Sequence, residues 1–325
     1  RVASRGLGDV YKRQEYYYNN IHLLGIQGMQ KNTISSILER AKFFNDKKNN
    51  KKNSILKDHL VINLFFENST RTKASFEIAA KLMSADILNI SVSTSSIKKG
   101  ETLIDTASTL NAMHPDFLIL RHPNSGAAEM LSKHVQCSII NGGDGRHEHP
   151  TQALLDAAVI IDKNKSLEGL KIIICGDISN SRVARSNIHL LTTMGAEVSV
   201  VGPPTLIPKN IQNMGVKVFN NLNASLQSAD IIMILRLQSE RMNGSETPSK
   251  REYYNFFGIN EENIKLAKND VFVMHPGPMN RGVEIDSLLA DNNEISLIRN
   301  QVEMGVSVRM ACFEMLKLSR LKLIK

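Results

Sequence analysis

A chain of 325 residues, 42% of them hydrophobic, can bury a real core and is long enough for two domains. Its longest apolar runs, such as "DIIMILR" and "LKIIICG", fall far short of the ~20 residues that cross a bilayer, and the dispersed Cys137, Cys175 and Cys312 fit neither a disulfide framework nor a zinc site. Much of the net charge of +8 sits in "NDKKNNKKN" (45–53) and the C-terminal "KLSRLKLIK", aromatic residues are only 5% and Trp is absent, so a solvated surface fits better than a nucleic-acid platform.

The opening "RVASRGLGDVYKRQ" has no initiating Met and no periodicity, and residues 1–14 are read as a non-native cloning or sequence-assembly scar. Without a charged, oily, small-residue leader pattern, the expected compartment is the cytoplasm, with no membrane partner. From there short β-rich runs alternate with helical patterns. The predicted strands of the first half are 59–66, 85–92, 116–122 and 137–143. In the second half they are "LKIIICGD", "AEVSVVGP", "VKVFN", "ADIIMILR" and "DVFVMHP", with a helix over 182–195 that stops at Gly195. Near-continuous apolar strands separated by helices imply two α/β domains, each a mostly parallel sheet covered by helices on both faces. A helix in "PTQALLDAAVIID" should link them, with Ala153, Leu154, Ala157, Ala158 and Ile161 as its apolar stripe.

Ligands of open parallel sheets bind beyond the carboxyl ends of the strands. Here those ends read "ENSTRT", "STSSIKKGE", "RHP" and "NGGDGRHEHPTQ", all polar or basic. Ser69 or Thr70 is placed to cap the helix "RTKASFEIAAKLM", whose first turn offers unpaired N–H groups and the positive end of the macrodipole. With hydroxyls from Ser69, Thr70 and Thr72 and the Arg71 guanidinium, that turn becomes an anion cradle. Arg121 ends an apolar strand, where a surface arginine is less expected. His149 and Gln152 project from the first turn of the linking helix, with Pro150 at its first position.

Taken in order, "FFENSTRTKASFE", "SSIKKGETLIDT", "LRHPNSGAA", "DGRHEHPTQALLD", "GDISNSRVARSN", "ILRLQSER" and "MHPGPMNRGVEI" resemble the aspartate carbamoyltransferase catalytic chains of the aspartate/ornithine carbamoyltransferase superfamily, over residues 20–325. The resemblance implies a carbamoyl-phosphate-binding domain at 15–150, onto which a C-terminal helix, 303–325, packs back, and an aspartate-binding domain at 151–302. It implies transfer of the carbamoyl group of carbamoyl phosphate to the amine of L-aspartate, an early step of de novo pyrimidine (UMP) biosynthesis, with no cofactor and no metal. Ser69, Thr70, Arg71 and Thr72 would hold the phosphate. Arg121, His149, Gln152 and the main chain of Gly277 and Pro278 would hold the carbamoyl end. Arg182, Arg236 and Gln238 would grip the two carboxylates of aspartate. Ser95 and Lys99 would reach into the active site of a neighbouring subunit, Lys99 towards aspartate, which implies a homotrimer; attachment of regulatory chains or a dihydroorotase is left open. Lys73 stands where many relatives carry arginine. Gly277 stands where bulkier residues are frequent, a change expected to be harmless.

Catalysis would then rest on position and charge, with Thr72, Arg121 and His149 as donors to the oxyanion and Arg71 on the leaving phosphate. The rivals are an ornithine-type or other carbamoyltransferase, for which a Cys after the late His is missing from "MHPGP", and a non-catalytic homologue. A nicotinamide-dependent dehydrogenase is disfavoured because "IIICGDISNSR" lacks G-x-G-x-x-G.

Overall fold

In the computed structural model of the protein, residues 18, 20–46, 49, 51–91, 100–238 and 249–323 are described. The expectations for residues 1–14, for Ser95 and for Lys99 lie outside them. In the first half, β1 (Leu60–Phe65), β2 (Asp86–Ser91), β3 (Phe117–His122) and β4 (Ser138–Asp144) form a parallel sheet in the order β2-β1-β3-β4. The apolar runs of β1, β3 and β4 are buried, as parallel strands between helices are, whereas β2 at the sheet edge is only partly covered and leaves Leu88 exposed. Ile62, Leu64, Leu118 and Leu120 point into one apolar cluster with α3 (Leu103–Asn111) and α4 (Ala127–Ser132). Their neighbours Val61, Ile119 and Ile140 point the other way, into a cluster with α1 (Lys31–Asn45), α2 (Thr70–Leu82) and α5 (Pro150–Asn164).

The second half repeats the arrangement with five parallel strands: β5 (Lys171–Cys175), β6 (Glu197–Val201), β7 (Lys217–Phe219), β8 (Ile231–Ile234) and β9 (Phe272–Met274), in the order β7-β6-β5-β8-β9. Between β5 and β6 runs α6 (Arg182–Thr193), after which Gly195 takes a left-handed φ of 90° that ends the helix as expected. The helices α7 (Leu222–Leu226), α8 (Lys250–Phe257) and α9 (Ser287–Asp291) complete this half. The chain then turns into α10 (Ile298–Leu323), which packs against α1, α2 and α5. Phe313 of α10 meets Phe76 and Phe117 edge-to-face, at centroid separations of 5.9 and 5.2 Å.

The linking helix forms where expected and is buried further than its apolar stripe alone implies. An apolar stripe predicts one wet face, but α5 is buried at every residue from Pro150 to Ile160, because α1, α6 and α10 surround it. Gln152 and Asp156 are therefore interior polar groups that need partners. Among the described residues no helix is long and apolar enough to cross a membrane.

Each sheet has a switch point. In the first, β1 pairs with both β2 and β3; in the second, β5 pairs with both β6 and β8. A doubly wound sheet opens a crevice where the strand order reverses. The ends of β1 and β3 and the ends of β5 and β8 thus carry two crevices, and these open on each other.

Candidate active site

Between the two crevices lies a cavity of about 580 Å³. It is lined by Ser69, Thr70, Arg71 and Thr72 from the start of α2, Arg121 from β3, and His149 and Gln152 from α5. Arg182 from α6, Arg236 and Gln238 beyond β8, and Gly277 and Pro278 beyond β9 line it as well. Every described residue that the sequence singled out for binding or catalysis therefore meets in one space. Lys73 does not line it.

Ser69 occupies the N-cap position in extended conformation, but its side chain makes no capping hydrogen bond, so the expected hydroxyl cap is not formed. No acidic residue stands in the first turn of α2 to neutralise the macrodipole there. Arg71 lies across the cleft and donates from Nη1 to Pro276 O at 3.0 Å. Gly277, with φ of 59°, leaves the room that this requires, because a Cβ there would overlap the Arg71 guanidinium. A side chain at 277 would therefore have to displace the flexible end of Arg71.

Arg121 donates from Nη1 to Gly142 O at 3.1 Å. Arg182, at the start of α6, is only 5% exposed and donates to Gly145 O at 3.3 Å. Between these two arginines sits a residue that sequence reasoning passed over. Glu67 accepts from Arg182 Nη2 at 2.6 Å and lies 3.4 Å from Arg121 Nε, tying the end of β1 to both. Its only sequence signal is a lone carboxylate inside "FFENSTRT", at the mouth of a cationic site. Gln238 is held by its own donation to Asn180 O at 3.1 Å.

His149 is fixed through its backbone N–H, which donates to Ser186 Oγ at 2.8 Å, while Ser186 in turn donates to the buried Glu148 carboxylate. Burial, reinforced by Arg121, Arg182 and Arg309, holds its imidazole well below the usual histidine pKa of 6.5, so the ring is neutral at physiological pH. A neutral ring of low basicity is a hydrogen-bond donor before it is a proton acceptor.

Beneath the cavity floor, Gln152 Nε2 and Gln301 Nε2 both donate to Asp156 Oδ1, at 2.9 and 2.7 Å. Gln301 accepts from His275 N at 3.0 Å, and His275 Nδ1 accepts from Gly277 N at 2.8 Å. Arg309, 2% exposed, also lines the cavity, donates to Gly305 O and stands over the Phe76 ring. Its signal resembles that of Arg121, a single arginine in an apolar run, "VSVRMACF".

Two family models cover the chain. Residues 21–162 match "Aspartate/ornithine carbamoyltransferase, carbamoyl-P binding domain", and residues 168–316 match "Aspartate/ornithine carbamoyltransferase, Asp/Orn binding domain". The chain is 57% identical over 307 residues to the aspartate carbamoyltransferase catalytic subunit of Parvibaculum lavamentivorans, covering 94% of each chain. It is 56% identical over 301 residues to that of Rhodospirillum rubrum, covering 92% of this chain and 94% of the relative. Among solved structures it is similar to aspartate transcarbamoylase from Trypanosoma cruzi in complex with N-(phosphonacetyl)-L-aspartic acid, with a TM-score of 0.81, 29% identity, and 90% and 94% of the two chains covered. Ornithine carbamoyltransferase from Pyrococcus furiosus is similar at a TM-score of 0.80 and 28% identity, with 90% and 95% covered.

Proposed function

Because the chain belongs to the aspartate/ornithine carbamoyltransferase family, we propose that its cleft transfers the carbamoyl group of carbamoyl phosphate to L-aspartate, giving N-carbamoyl-L-aspartate and phosphate. The observation that carries this reading is the single cavity in which an anion cradle, Ser69 to Thr72, faces a second cationic pair, Arg182 and Arg236. One wall suits a phosphate and the other a dicarboxylate. We assign residues 15–150, with the returning C-terminal helix, to carbamoyl phosphate, and 151–302 to aspartate.

The chemistry needs little beyond placement. Carbamoyl phosphate is a mixed anhydride, already activated. The amine of aspartate attacks its carbonyl carbon, a tetrahedral oxyanion forms, the C–O bond to phosphate breaks, and the departing phosphate can accept the amine proton. Holding both reactants in near-attack geometry is worth about 7–11 kcal/mol. Thr72, Arg121 and His149 are the donors to the oxyanion, each contributing on the order of 3 kcal/mol. Arg71, with the N–H groups of the first turn of α2, stabilises the charge on the leaving phosphate. Gln152 and the main chain of Gly277 and Pro278 hold the carbamoyl amide. Arg182, Arg236 and Gln238 bind the carboxylates, so an acceptor lacking one would strand a buried cation. Ser95 and Lys99 complete the site from a neighbouring copy, which makes the working unit a cytoplasmic homotrimer serving pyrimidine biosynthesis.

A colorimetric assay for carbamoyl-aspartate tests the reading, with ornithine as the competing acceptor. Aspartate should be carbamoylated and ornithine should not. Arg71→Ala and Arg236→Ala should each reduce the rate by about 10²–10³-fold. Carbamoylation of ornithine in place of aspartate, or no product with either, would overturn it.

A further inference from the structure

Asp156 does not line the cavity, yet three side-chain amides converge on it. Its Oδ1 receives Gln152 Nε2 and Gln301 Nε2, and its Oδ2 receives Asn187 Nδ2 at 2.8 Å. The residue is wholly buried on α5, and the amides come from α5, α10 and α6. A carboxylate is an acceptor on every side, so each amide facing it must present nitrogen and turn its oxygen elsewhere. For Gln301 the oxygen then meets His275 N, which registers the loop that carries Gly277 and Pro278. For Gln152, which lines the cavity, the oxygen is left for the ligand.

We propose that Asp156 is a positioning residue that sets substrate specificity: by fixing the polarity of the Gln152 amide, it gives the cavity an acceptor for the N–H of a carbamoyl group and nothing for the methyl of an acyl group. The inference rests on the proposed carbamoyl-transfer reading and deepens it. A carbamoyl and an acetyl phosphate have nearly the same shape and differ at one end, NH₂ against CH₃. Arginines and helix N–H groups treat the two alike, because they address the phosphate and the carbonyl oxygen. Acceptors of fixed direction separate them. Beside the main-chain carbonyls of Gly277 and Pro278 the Gln152 amide is the side chain in that role, and an amide free to turn over would blur its share of the distinction. Burial raises the Asp156 carboxyl to about 6, so it is ionised, and accepting only, at neutral pH.

The arrangement also predicts which replacement keeps the polarity. Asp156→Asn alone is frustrated, because its NH₂ must face either the two glutamine nitrogens or Asn187 Nδ2, which Val183 O holds at 3.1 Å. Adding Asn187→Asp gives that NH₂ an acceptor and leaves the amide oxygen introduced at position 156 for both glutamines, with the net charge unchanged and Val183 O without its side-chain donor. Asp156→Leu removes every acceptor, and Gln152→Met removes the amide itself.

The experiment measures KM for carbamoyl phosphate against the competitive inhibition constant of acetyl phosphate in each variant. Their ratio does not depend on how much of the protein is active. Wild-type product formation tests the carbamoyl-transfer reading, and the ratio across variants tests Asp156, so the two failures are distinguishable. Asp156→Leu should lose at least about tenfold of the discrimination, the worth of one directed hydrogen bond, and no less than Gln152→Met, because it also frees Gln301. The double exchange Asp156→Asn/Asn187→Asp should stay within about twofold of wild type. Should Asp156→Leu fail to fold, the double exchange decides alone, because a folded double exchange with the Gln152→Met ratio overturns the proposal. A wild-type ratio in folded Asp156→Leu overturns it equally.

Discussion

Replacing Glu67 by glutamine probes the contact between the two halves. The carboxylate serves two arginines at once, 2.6 Å from Arg182 Nη2 and 3.4 Å from Arg121 Nε, with 21% of its side chain exposed. A glutamine of the same shape accepts from one of them and turns an N–H₂ towards the other, so one charge-assisted contact is lost and a buried guanidinium is left facing a donor. Hydrogen bonds to charged groups contribute about 1.5–3 kcal/mol, and partial exposure puts this one near the lower end. Expressed in catalysis, the same energy is a fall in kcat/KM for aspartate of roughly tenfold to thirtyfold, because Arg182 and Arg121 are no longer held where the two reactants need them. The assay is steady-state formation of carbamoyl-aspartate with each substrate varied in turn, beside urea unfolding at low and high salt. Salt should narrow the stability difference. A kcat/KM for aspartate within twofold of the parent would refute the argument that Glu67 orients these arginines.

Burial holds the imidazoles of His149 and His275 below 6.5, so the folded protein binds those protons less readily than the unfolded chain. Their contribution to stability is complete above pH 6.5 and is lost as the pH falls below it. Asp156 and His147 act in the opposite sense, their pKa values being raised, so the difference between parent and variant isolates one group. His149→Gln should therefore lose less stability than the parent between pH 7 and pH 5, read from urea midpoints; an identical slope would contradict a neutral, buried His149. Its replacement should also leave the pH–rate profile between 6 and 8 unchanged in shape while lowering its height. Phe313→Ala should destabilise the fold by about 3–5 kcal/mol, since the ring is fully buried against Phe76 and Phe117. A loss below about 1 kcal/mol by urea denaturation would show that α10 is not part of the cooperative core.

The strands were legible because a parallel strand buried on both faces reads as an apolar run, whatever lies around it. Their carboxyl ends then pointed to the cleft, since the residues of interest, Ser69 to Thr72, Arg121 and Arg236, follow such runs directly. What was not legible depends on partners distant in sequence. Glu67 acquires its role from Arg182, 115 residues on, and Asp156 shares a hydrogen bond with Gln301, 145 residues on. The apolar stripe of the linking helix accounts for one face only, because nothing local announces that α6 and α10 will cover the others. The contact above Gly277 is hidden from the sequence for the same reason, as the arginine lying over it belongs to the opposite half of the molecule.

The chain passes between its two halves twice, leaving through α5 and coming home through α10, and those two helices lie side by side. A single tether would let the lobes swivel and slide. Paired pins behave like the hinge of a book, along whose spine the covers can swing but not shear. A swing about that spine would move the residues beside it, such as His149 and Gln152, least and the outer rims most.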